Sequence, residues 1–139
     1  MLSDGDQKGI VNCLIGAMML LAVSCYNNQI HYDLEAQTIK TCNGKNISYL
    51  FIESEKGEVW EFHRKAGTEG VNVFNLNSPS SSYTLTRGDI ALPVDSFRLL
   101  PKHQYIITNH TYVDAADSEI EVNTDENGKI RRAKPEICK

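Results

Sequence analysis

A chain of 139 residues with 14 Lys and Arg against 18 Asp and Glu carries a net charge of −4, and so lacks the basic excess of a nucleic-acid binder. The length suits one domain with a single core. What composition leaves open is where that domain resides, and the first twenty-five residues address that.

Ile10 to Cys25 reads IVNCLIGAMMLLAVSC, an apolar run behind Lys8 that closes on small residues. At about fourteen residues it has the length of a secretory h-region and is too short to span a bilayer comfortably. A buried core helix and an uncleaved single-span anchor are the competing readings, and Asp4 and Asp6 give the stretch ahead of the run an unusually acidic character. Ala22-Val23-Ser24-Cys25 resembles the bacterial lipobox, with Ala22 where that motif prefers Leu. The resemblance implies removal of residues 1–24, lipidation of Cys25, a short tether over 25–29 and one domain over 30–139. Tyr26 rather than Asp after Cys25 implies sorting to the periplasmic face of the outer membrane. Initiation at Met18 or Met19 would leave too short an apolar run for export and would give a minor cytosolic form.

Cysteine use follows from this reading. With Cys13 removed and Cys25 lipidated, Cys42 and Cys138 remain as one pair in an oxidising compartment, and the expectation is a bridge between them. A metal site is not expected, because these cysteines lie about a hundred residues apart without a CxxC pair or a nearby His cluster.

The rest of the chain has all-β punctuation, with short runs of Ile, Val, Tyr, Thr and Phe between Gly, Asn, Pro and Ser clusters. Ile30 to Leu34 alternates, and Thr38 to Cys42 stops at Asn43-Gly44, the strongest local turn signal. Ile47 to Glu53 and Glu58 to Lys65 flank Glu55-Lys56-Gly57 as a hairpin, with Trp60, Phe62 and Arg64 on one face and Val59, Glu61 and His63 on the other. Val71 to Leu76, a polar loop over 77–82 and Tyr83 to Thr86 follow. Gln104 to Thr111 is the longest strand, with Tyr105 and Ile107 opposite Ile106 and Thr108. Ile120 to Thr124 and Lys129 to Arg132 close the chain as a hairpin around Asp125-Glu126-Asn127-Gly128. Seven or eight strands in this length suit an antiparallel β-sandwich.

Leu99, Pro101 and Tyr105 stand in a Leu-x-Pro-x-x-x-Tyr pattern that resembles the tyrosine corner of fibronectin type III and immunoglobulin-like sandwiches. The resemblance implies that Tyr105 opens a strand, buries its ring and bonds its hydroxyl back to the preceding corner. Lys102 stands where that family usually has Gly.

No catalytic constellation emerges. His31, His63, His103 and His110 form no HxH or HExxH pattern, and Ser80-Ser81-Ser82 lacks a nucleophile elbow. The scattered glycines cradle no phosphate, so no cofactor is expected, and the basic cluster Lys129, Arg131, Arg132 and Lys134 reads as a solvated strand. Asp114, Asp117, Glu119 and Glu121 form an acidic segment whose spacing does not match an EF-hand loop. A solvated loop is one reading of it. The sharper one is a negative surface that steers a basic partner, to which the hairpin-tip Glu55 and Glu58 would add.

A lipidated cysteine, an early strand ending in a cysteine, a Leu-Pro-x-x-x-Tyr corner and a terminal hairpin rich in Asp and Asn together resemble the type VI secretion immunity periplasmic lipoproteins of enterobacteria. The resemblance implies a non-enzymatic protein that binds a cognate effector, phospholipases among them, and neutralises it by occlusion at the membrane. The alternative is an immunoglobulin-like envelope lipoprotein acting as a binding or docking module in a secretion or envelope assembly. A small hydrolase ranks behind both.

Overall fold

β-branched and aromatic residues at every second position give each strand one apolar face, and two sheets close over one another to bury those faces. The computed structural model describes residues 28–110, 117–135 and 137–138. The leader, Cys25, Met18, Met19 and Asp114 lie outside the described residues.

Ten strands are described: β1 (Ile30–Asp33), β2 (Thr38–Thr41), β3 (Tyr49–Ser54), β4 (Val59–Arg64), β5 (Val73–Phe74), β6 (Tyr83–Arg87), β7 (Ile90–Leu92), β8 (Gln104–His110), β9 (Ser118–Thr124) and β10 (Ile130–Lys134). A 3-10 turn covers Val94–Ser96. Seven strands form one antiparallel sheet in the order β10-β9-β8-β3-β4-β6-β7, and three form the other in the order β1-β2-β5. The all-β sandwich is therefore as expected, with more strands than seven or eight. Outside every run read from the sequence lies β7, a three-residue edge strand reached through the two-residue loop Gly88-Asp89, where Gly88 holds φ +61°. Three residues carry too little alternation to register as a strand.

Asn43-Gly44 ends β2 as expected, but it does not make a hairpin. Gly44 holds φ +77°, and the chain leaves the small sheet there to enter β3 of the large one. The hairpins around Gly57 (φ +84°) and Gly128 (φ +80°) form where the sequence places them.

Trp60, Phe62, Tyr105 and Ile107 point into the core from the large sheet, and Ile30, Tyr32, Ile39 and Phe74 meet them from the small one. Phe74 crosses the sandwich and sets its ring edge-on to Phe62 and Tyr83, 5.1 Å from each. Three strands cannot cover seven. Beyond the small sheet Phe97 packs edge-on to Trp60 and Phe62, at 5.5 Å from both.

Two tyrosines tie connections to this core. The buried Tyr105 hydroxyl accepts the Leu100 N–H at 2.8 Å, with Leu99 packed on the core edge and Pro101 exposed, as the corner pattern implies. Lys102 takes φ +56°, the left-handed conformation that glycine adopts without cost, and its N–H donates to the Asp125 carbonyl. Tyr83, which has no such sequence pattern around it, donates its hydroxyl to the Ile47 carbonyl at 2.6 Å and accepts the Val71 N–H at 3.0 Å.

Cys42 and Cys138 are bonded, with their Cα atoms 5.7 Å apart across a sequence separation of 96. The bridge fastens the segment beyond β10 of the large sheet to the end of β2 in the small one.

Candidate functional site

Pairing register decides which exposed side chains meet on the outer face of the large sheet. Tyr49 lies opposite His63 on one side and His110 on the other. Two residues along β3, Phe51 lies opposite Glu61 and Thr108, and Thr108 lies opposite Glu119. Four strands therefore place aromatic rings, imidazoles and carboxylates in two adjacent cross-strand rows.

The contacts within those rows are polar and close. The Tyr49 hydroxyl donates to Glu61 Oε1 at 2.7 Å, and His63 Nε2 lies 3.1 Å from the same oxygen. The Tyr49 and His63 rings are 4.3 Å apart, and the His110 ring stands edge-on to Tyr49 at 5.4 Å. His110 Nδ1 meets Asp117 Oδ1 at 2.6 Å. The Tyr49 hydroxyl holds the Glu61 carboxyl below the usual carboxylate range; partial desolvation opposes this and His63 reinforces it. Glu61 thus remains an anion that fixes the tyrosine and the imidazole in place.

Tyr49, Phe51, Thr108, His110, Asp117 and Glu119 line a shallow depression of about 280 Å³. Its floor is aromatic and its rim is carboxylate. Such a depression can take a cationic side chain, with its apolar stem on the rings and its charge toward the acids. Tyr and His here are held by hydrogen bonds and ring contacts made before any partner arrives, which lowers the ordering cost of binding.

The acidic residues singled out in the sequence divide among three positions. Asp117 and Glu119 belong to this depression. Glu121 is also exposed on β9, two residues along the strand from Glu119 and opposite Ile106 and Lys134. Glu55 and Glu58 sit at the β3–β4 hairpin tip with bonds of their own. Glu55 Oε2 accepts the Gln104 N–H at 3.0 Å, and Glu58 Oε2 pairs with Arg87 at 2.5 Å while Arg87 lies over the Trp60 ring. The basic β10 cluster is solvated as expected, with Arg131 turned back to Asp125 at 2.9 Å.

Sequence reasoning missed Tyr49, Phe51, Glu61, His63 and His110 as one group, since they come from three strands and share no motif. It also missed His31, which lies 3.7 Å from Cys42 Sγ and 3.3 Å from Cys138 Sγ through its Nδ1. No helix among the described residues is long and apolar enough to cross a membrane. No family model, curated protein or solved structure matches this chain.

Proposed function

We propose that this protein is a lipid-anchored periplasmic immunity protein that binds a cognate type VI secretion toxin, such as a phospholipase, and neutralises it by occlusion without catalysis of its own. The observation that carries the reading is the convergence of Tyr49 and Phe51 with Glu61, Asp117 and Glu119 on one outer sheet face. Aromatic anchors within a charged rim are the composition of a protein-binding hot spot, and the acidic rim fits a basic patch around the toxin's active-site mouth. Cross-strand pairing and the hydrogen bonds of Glu61 to Tyr49 and His63 keep that face in one shape, so little entropy is lost on docking. Anchoring through Cys25 would hold the inhibitor at the membrane where a lipid-degrading toxin acts and would raise its effective concentration there.

Affinity capture from cell envelopes with the mature protein tests this, using Glu119→Lys as the matched control. Recovery of a toxin by the parent protein, its inhibition on binding, and weaker recovery and inhibition with Glu119→Lys are the expected results. Deleting the gene should be lethal only when that toxin reaches the periplasm. Recovery of structural envelope proteins alone would overturn the reading in favour of a docking module.

A further inference from the structure

We propose that His31, Cys42 and Cys138 form a binding site for a divalent metal ion of the zinc class when the bond between the two cysteines is reduced. The site lies on the outer face of the small sheet. It does not rest on the toxin-binding reading.

Strand register builds it. The Cys42 N–H donates to the Gln29 carbonyl at 2.9 Å, which extends the β1–β2 ladder by one pair. Cys42 therefore shares a face with Gln29, and His31, two residues along β1, is its diagonal neighbour on that face. The segment beyond β10 then brings in Cys138. One imidazole nitrogen and two sulfurs lie within 4.8 Å of one another.

The spacing suits a tetrahedral ion. Metal–sulfur bonds of about 2.3 Å and metal–nitrogen bonds of about 2.0 Å imply donor separations of roughly 3.5–3.8 Å. The two nitrogen–sulfur distances, 3.7 and 3.3 Å, are already close to that. Only the two sulfurs must part. Cys138 lies beyond the last strand and is exposed, so it can move without unpairing a ladder. Lys40, opposite His31 on the same face, directs its ammonium to Asp33 Oδ2 at 2.8 Å.

The chemistry balances with a dithiol reductant. It delivers two electrons and two protons to the bond between the sulfurs and leaves as its own disulfide. The two thiols release their protons to solvent as the ion takes both thiolates and the neutral imidazole Nδ1, and one coordination position stays open for water. The bridge and the metal ion exclude each other, so the same three residues serve as a staple in one redox state and a metal clip in the other.

Cobalt(II) titration of the purified protein, reduced under anaerobic conditions with a phosphine, reads the site directly. Thiolate-to-cobalt charge-transfer bands, tetrahedral ligand-field bands and displacement by zinc are expected in the reduced protein only. His31→Ala should weaken cobalt binding by at least the 10–100-fold range, about what loss of even an outer partner costs. His31→Ala retains both cysteines, and near-ultraviolet circular dichroism from Trp60 reports whether each reduced protein is folded. If reduction abolishes that signal, zinc should restore it in the parent protein and fail to do so at the same concentration in His31→Ala. Equal binding by His31→Ala, absence of the thiolate bands, or equal binding by the disulfide form would overturn the proposal.

Discussion

The Gln37 side-chain amide pairs with the backbone of Ile130 as a neighbouring strand would, donating from Nε2 to the Ile130 carbonyl at 3.0 Å and accepting the Ile130 N–H at 3.2 Å. Ile130 opens β10, the outermost strand of the large sheet, and Gln37 sits in the β1–β2 turn of the small one. One side chain thus covers part of an exposed edge and joins the two sheets. Gln37 also donates to the Leu34 carbonyl at 2.7 Å, and it holds φ +56° to reach these partners.

Gln37→Ala should lower the unfolding free energy by about 1–3 kcal/mol, because the partly buried Ile130 and Leu34 groups lose their partner while the left-handed backbone stays. Gln37→Gly should cost about 1 kcal/mol less than Gln37→Ala, since glycine takes that conformation freely. Urea unfolding of the three proteins gives the order.

Removing the hydroxyl of Tyr83 should cost more than removing that of Tyr105. Tyr83→Phe leaves both the Ile47 carbonyl and the Val71 N–H unpartnered at a buried site, whereas Tyr105→Phe leaves only the Leu100 N–H. We expect about 2–3 kcal/mol for the first and about 1–2 kcal/mol for the second. Chemical denaturation with an unchanged m-value would assign both losses to the folded state.

Reduction of the bridge, or Cys42→Ser with Cys138→Ser, should destabilise the protein in metal-free buffer. A closed loop of this length is worth up to about 4.7 kcal/mol of unfolded-chain entropy. Thermal melts with chelator present, with and without reductant, measure the loss.

Stability should fall on acidification. The Asn127 N–H holds the Asp125 carboxyl below its usual range; desolvation opposes this, and the Lys129 N–H and Arg131 add to it. Glu61 is held low by the Tyr49 hydroxyl. A carboxyl lowered by folding contributes stability that is complete above its unfolded value, about 4, and is lost as pH drops through its folded value. The melting temperature should therefore be insensitive to these two groups above about pH 5 and decline below it. Asp125→Asn and Glu61→Gln should each flatten that decline.

On the outer face, Tyr49→Ala should weaken partner binding by tenfold or more, as loss of an aromatic anchor of about 2 kcal/mol does. Glu119→Lys should slow association and remove part of its salt dependence while shifting stability by no more than about 0.5 kcal/mol. Surface-plasmon kinetics at two ionic strengths separate the two effects.

Much of the fold was legible because its signals are local. Alternation put Trp60 and Phe62 on one face of a strand and Glu61 and His63 on the other, and the structure buries the first pair and leaves the second part-exposed. The glycines of the β3–β4 and β9–β10 hairpins marked their turns, and the Leu99, Pro101 and Tyr105 pattern marked a corner whose hydroxyl bond forms. The Asn43-Gly44 signal was the strongest of the turns and yet marks a crossing between sheets, because a turn residue fixes a bend and leaves open which strand comes next.

The sequence by itself determined an all-β chain, the two faces of its main strands and its tight turns. All of these follow from a two-residue period or from backbone conformations that particular residues favour. Tertiary structure alone decided that β8 lies beside β3, that Tyr49 stands between His63 and His110, that Tyr83 holds the Ile47 connection, and that His31 meets the disulfide. Those relationships join residues far apart in the chain, and only the packing of one apolar face against another sets the register that brings them together.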